Sequence, residues 1–129
     1  MKTVVNQVQL IGRLGADAEI RTTKQGVRVG TLRLATNERT KLANGEWKET
    51  TQWHQCVIWG EMNKVVEKYG KKGNQLLVLG SLSYREYVDS SDVKRQTTEI
   101  RVNEILVLKS QSGASVDIAS EEAVDYDAE

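Results

Sequence analysis

The chain contains no proline, one cysteine (Cys56) and one histidine (His54) in 129 residues. A single cysteine rules out an intrachain disulfide, so a fold of this size must be held by its core. One His and one Cys are too few for a zinc site of the usual kind, so no metal is expected. They stand two apart on one strand, a poor layout for a Cys/His nucleophile pair. The carboxylates form no obvious acid–base pair, and no GK[ST] follows a glycine-rich turn, so the phosphate-cradling loop is missing. No catalytic residue and no cofactor is therefore expected. No run approaches the roughly 18 apolar residues that a membrane helix needs. The opening segment MKTVVNQVQL lacks a signal-peptide pattern. A soluble, cytoplasmic protein is expected. Without proline, nothing interrupts long strands.

Charge is balanced only on average. Residues 110–129 hold six acids and no Lys or Arg, which leaves 18 basic against 12 acidic residues in 1–109. The body thus carries +6 and suits a polyanionic partner. The last twenty residues read as an acidic, disordered arm beyond a folded domain at 1–109, or simply as a solvated terminus.

Strand patterns fill the body. Residues 4–14 and 27–37 alternate apolar and polar side chains, as half-buried strands do. Gly12 and Gly30 inside them predict bulges or sharp coiling of the kind that closes a small barrel. Residues 38–46 read as a polar hairpin loop with Asn44-Gly45 as its turn, and 47–60 as a third strand. Met62, Val65, Val66 and Tyr69 then fall on one helix stripe, ended by Gly70 and Gly73. Two more strands follow, at 75–88 and 96–109. This order predicts an all-β OB fold: a five-stranded Greek-key barrel with one short helix between strands 3 and 4. OB barrels bind oligonucleotides, oligosaccharides or proteins, so the fold alone does not settle function.

The third strand carries the strongest chemical signal. Parity puts Trp53, Gln55, Val57 and Trp59 on one face and His54, Cys56 and Ile58 on the other. Six residues of extended chain separate the indoles by about 20 Å. Two indoles flanking a glutamine look like a platform for stacking bases, a sequence-tolerant contact. The alternative is that one or both fill the barrel or a subunit contact. On the fourth strand parity groups Arg85 with Tyr87, which together can hold a base and its phosphate. Trp47 follows the Asn44-Gly45 turn, placed either to clamp a bound strand or to pack on its own hairpin. Basic residues including Arg21, Arg33, Lys41, Lys72 and Arg85 are spread around the barrel, an arrangement suited to a wrapped polymer.

From Val4 to Leu108 the chain resembles the bacterial-type single-stranded DNA-binding proteins. The markers are Val5-Asn6, Leu14-Gly15 followed by Asp17 and Glu19, Leu34-Ala35-Thr36, and Trp53-His54. After them come Gly60, Tyr69, Lys72-Gly73, Gly80 and Thr98-Glu99 with Asn103. The resemblance implies a homotetramer that wraps and protects single-stranded DNA during replication, recombination and repair, and so a nucleoid-associated protein. It implies stacking by Trp53 and Trp59, with Tyr87 where relatives often carry tryptophan. Lys72 and Arg85 match basic positions of the DNA path, and His54 a histidine at a subunit contact. The chain also departs from the family pattern. Arg39-Thr40-Lys41 stand where some relatives have a loop tryptophan, and Ser83, Glu86 and Glu61 stand where relatives can be basic. The acidic end lacks the family's closing Pro-Phe, which recruits replication and repair proteins. Two other functions fit the same composition: a protein-docking OB subunit, and an enzyme of nucleic-acid metabolism. The first would not depend on Trp53 and Trp59; the second needs a carboxylate or metal cluster.

Overall fold

A computed structural model of the chain describes residues 4–110 and the strand 118–120. The strands are β1 (Val8–Leu14), β2 (Glu19–Thr22), β3 (Arg28–Lys41), β4 (Trp47–Trp59), β5 (Gln75–Val88), β6 (Lys94–Lys109) and β7 (Ile118–Ser120). A 3-10 turn at Gly60–Met62 leads into the helix α1 (Asn63–Tyr69) between β4 and β5. Five strands close a barrel. β1 pairs β5, β5 pairs β6, β6 meets β4 in parallel, β4 pairs β3, and β3 returns to β1. This is the OB fold expected from the order of elements.

Alternation along the strands fills the barrel. Leu32 and Leu34 of β3, Cys56 and Ile58 of β4, Leu76 and Val78 of β5, and Ile100 and Val102 of β6 all point inward and are buried. Each fully buried Leu or Ile contributes about 1.5–3 kcal/mol over its exposed state. Burial also pushes the Cys56 thiol up to about 12, so it stays protonated and acts as a small apolar side chain. Met62, Val66 and Tyr69 lay the helix stripe over one end of the barrel. Asn63 fixes the start of that helix. Its side-chain amide donates to the carbonyls of Arg28, Ile58 and Gly60 at 3.0–3.1 Å, tying α1 to β3 and β4.

Several details differ from the sequence expectation. The β3–β4 hairpin is longer than its polar composition indicates: pairing runs out to Lys41↔Trp47, and only residues 42–46 form the loop. The first strand begins at Val8 rather than at residue 4. β2, a short strand on β3, was not expected. Gly12 and Gly30 sit in regular pairing and serve close approach instead. A Cβ on Gly12 would lie 2.2 Å from the Ala35 carbonyl oxygen, and one on Gly30 2.2 Å from Asn63 Oδ1. The register shifts lie between Gln75 and Leu76 and between Leu79 and Gly80, where the partner β6 carries the extra residues. Within the segment read as an acidic arm, Ile118–Ser120 pair with Glu104–Leu106 of β6. Residues 111–117 and 121–129, which hold the six acids, lie outside the described residues.

Candidate nucleic-acid interface

Outward parity on β4 holds as expected. Trp53 and Trp59 are 52% and 44% exposed, while Cys56 and Ile58 on the opposite face are sealed in the core. The barrel-filling alternative for the two indoles is thereby removed.

Around Trp59 lies an open groove of about 720 Å³. It forms because β4 and β6 run in parallel where Cys56 meets Ile100 and Val57 meets Arg101. That junction brings residues far apart in the chain onto one outer surface. β2 and β3 supply Arg21, Thr31 and Arg33; β4 supplies Gln55, Val57 and Trp59; β5 and β6 supply Tyr84, Arg85, Glu99 and Arg101. Four guanidinium groups thus share the groove with three carboxylates, those of Asp17, Glu19 and Glu99. Its charge balance is only mildly positive. Val57 and Trp59 add apolar and aromatic surface to its lining.

Of the residues singled out in the sequence, Trp59, Arg85, Arg33 and Arg21 line this groove. Trp53 stands one step beyond it. Its ring leaves no room for a Cβ on Gly15, whose ideal position falls 2.4 Å from Cζ3, and the Arg33 guanidinium lies 5.4 Å from the ring centroid. Such a cation over the indole face contributes about 0.5–1 kcal/mol at an exposed site. Arg33 therefore links the groove to Trp53. Gly15→Ala is expected to push this indole aside, with a several-fold loss of affinity for oligo(dT) and little change in melting temperature, checked by fluorescence titration and circular dichroism.

Lys72 is exposed near the other rim: its backbone N–H donates to Oδ1 of Asp17, which lines the groove. Trp47 and Lys41 are not part of the groove. They form the last pair of the β3–β4 hairpin, with Arg39 stacked 5.0 Å from the Trp47 ring centroid. Trp47 stays 58% exposed, so it packs only in part on its own hairpin. Tyr87 also lies outside, opposite Arg95 near the tip of the β5–β6 hairpin. That tip is braced by the Asp89 carboxylate. Hydrogen bonds from the Arg95 side chain and from the backbone N–H groups of Val93 and Ser91 hold it below the usual carboxylate range. His54 points away from the groove and meets Thr36 Oγ1 at 2.8 Å. Tyr84, Glu99 and Arg101 are groove residues that sequence patterns did not single out as binding residues. The parity of β6 separates Glu99 and Arg101 from Ile100 and Val102, but only the β4–β6 junction shows what they face.

Among the described residues no three His, Cys, Asp or Glu stand together as a metal site, and no helix is long and apolar enough to cross a membrane. Residues 5–108 match the single-strand binding protein family. The chain belongs to that family. Its members are non-enzymatic DNA-binding proteins, and membership together with the likeness below supports single-stranded DNA binding by this chain. A solved structure, a Plasmodium falciparum SSB in complex with ssDNA, is similar to this family member at 30% identity and a TM-score of 0.72. The match covers 95% of this chain and 99% of that one.

Proposed function

We propose that single-stranded DNA lies along the outer face of β4, with bases stacked on Trp59 and Trp53 and phosphates met by Arg21, Arg33, Arg101 and Lys72. One observation carries this: the two indoles face outward on the strand that floors an open, arginine-lined groove. Stacking engages the π-face that every base has, so this contact carries no sequence preference. Trp47, Lys41 and Tyr87, on the two projecting hairpins, extend the path past the groove on either side. Arg85 joins the phosphate contacts. The same reading takes the protein to be a non-catalytic homotetramer of the cytoplasm and nucleoid, with His54 at a subunit contact. There it protects unpaired strands in replication, recombination and repair. The acidic residues after Ser110 would recruit other proteins.

Titration with oligo(dT) at two salt concentrations, followed by tryptophan fluorescence, tests the reading. Strong quenching that saturates at a fixed nucleotide ratio is expected. The logarithm of the affinity should fall with the logarithm of salt, by about 0.7 per phosphate neutralised. Absence of quenching, with binding lost at modest salt, would make the indoles structural and favour a protein-docking subunit.

A further inference from the structure

Glu99 sits in the middle of a surface that has to receive a polyanion. It lies on β6 opposite Ser83 of β5, and its side chain is only 12% exposed. One oxygen, Oε2, takes both of its contacts. Gln55 Nε2 on β4 donates to it at 3.3 Å, and Arg85 Nη2 on β5 approaches it at 3.5 Å. The two partners differ in kind. Gln55 comes from the groove floor, whereas the Arg85 side chain is 59% exposed and reaches down from the rim. Among the described residues Arg85 is the one groove guanidinium paired with a carboxylate; Arg21, Arg33 and Arg101 have no such pair.

We propose that Glu99 is a built-in brake on DNA binding, holding Arg85 in reserve until a phosphate displaces it. The inference rests on the binding path proposed above. Its physical basis is an exchange of partners. The ion pair is long and mostly exposed on the arginine side, so breaking it costs little. A phosphate offers the guanidinium a stronger, bidentate partner. When Arg85 leaves, Glu99 keeps its hydrogen bond from Gln55 and is not stranded without a donor. What remains is a carboxylate beside the DNA backbone, which repels it and limits how tightly and how long the strand is held. A protein that must yield its strand to other enzymes gains from such a limit.

The test is a double-mutant cycle with Glu99→Gln and Arg85→Gln, read as oligo(dT) affinity across a salt series. Glutamine keeps an oxygen to accept from Gln55, so the barrel should be undisturbed; a thermal melt checks this. Glu99→Gln is expected to tighten binding roughly three- to thirtyfold at low salt. Its salt dependence should become steeper by a fraction of one phosphate contact, because no counterion is taken up by a freed carboxylate. In the Arg85→Gln background the same change should yield less than half of that gain. An equal gain in both backgrounds would overturn the exchange and leave only general repulsion. Unchanged or weaker binding by a folded Glu99→Gln protein would overturn the brake itself. If Glu99→Gln does not fold, Glu99→Thr, which removes the carboxylate from a strand position that suits threonine, must show the same tightening. Failure of the wild-type protein to bind oligo(dT) would instead defeat the binding path, a separate outcome.

Discussion

Trp59→Ala is expected to weaken oligo(dT) binding by tenfold or more, since base–aromatic stacking contributes about 1–3 kcal/mol per base. The effect should be large because of what surrounds this indole. The groove holds nearly as many carboxylates as guanidiniums, so a strand that loses its stacking surface gains little from charge alone. Trp59 packs neither under a cation nor against a glycine, in contrast to Trp53. Its removal should therefore leave the melting temperature nearly unchanged, as for other exposed positions. Trp59→Phe should recover most of the affinity, because a ring face remains. Anisotropy of a labelled oligonucleotide measures all three proteins without relying on the indole itself. Equal affinity for wild type and Trp59→Ala would place the strand elsewhere. Trp53→Ala should also weaken binding but should cost some stability as well. It frees Arg33, which spans the step from Trp53 into the groove, and it opens a space beside Gly15.

Stacking and charge have different jobs in such a site. Stacking is short-ranged and indifferent to salt, so it sets how firmly bases are held. On the proposed path the arginines would act over about 8–10 Å at ordinary ionic strength and bring the strand to the groove. Mixing Asp17, Glu19 and Glu99 among them lowers the second contribution without touching the first. The Arg85–Glu99 pair lies where the two meet.

What could be read from the sequence follows from which forces are local. The two faces of β4 are a local property of strand parity. The outward Trp53 and Trp59 and the inward Cys56 and Ile58 were therefore visible before any fold was known. The helix stripe of Met62, Val66 and Tyr69 is local in the same sense. The extension of β3 through Glu38–Lys41 was not legible. Past the barrel both faces of that hairpin meet water, and no apolar alternation marks it. Arg101 was hidden for another reason. It matters because it adjoins Val57 across a parallel junction between strands far apart in sequence, and no short window contains that pairing. Glu99 was visible as a family marker, whereas its contacts with Arg85 and Gln55 exist only once β4, β5 and β6 are assembled.

Gly12→Ala should be among the most damaging small substitutions in the barrel, lowering stability by about 3 kcal/mol or more. Gly12 lies beside the seam at which β1, already paired with β5, closes the barrel on β3 through Arg13↔Ala35 and Leu14↔Leu34. An added Cβ would fall 2.2 Å from the Ala35 carbonyl oxygen, 2.9 Å from its carbon and 3.1 Å from Leu34 Cγ. Backbone cannot rotate away as a side chain can. Ala35 is pinned on its other side by pairing with Trp53, so relief has to come from opening the seam. A loss of that size corresponds to a drop in melting temperature of roughly 10–25 °C for a domain of about 100 residues. Because Ala35 and Trp53 are register partners, DNA affinity should fall too, even below the melting transition. Gly26→Ala separates steric closure from backbone preference. Gly26 has a φ of +85°, and no atom lies within 4 Å of where an alanine methyl would stand, so its cost is only the left-handed strain of about 1–2 kcal/mol. Thermal melts of the two variants beside the wild type decide the matter. A Gly12→Ala protein that melts no lower than Gly26→Ala would mean that β1 and β3 yield at the seam and that closure is not what holds this barrel together.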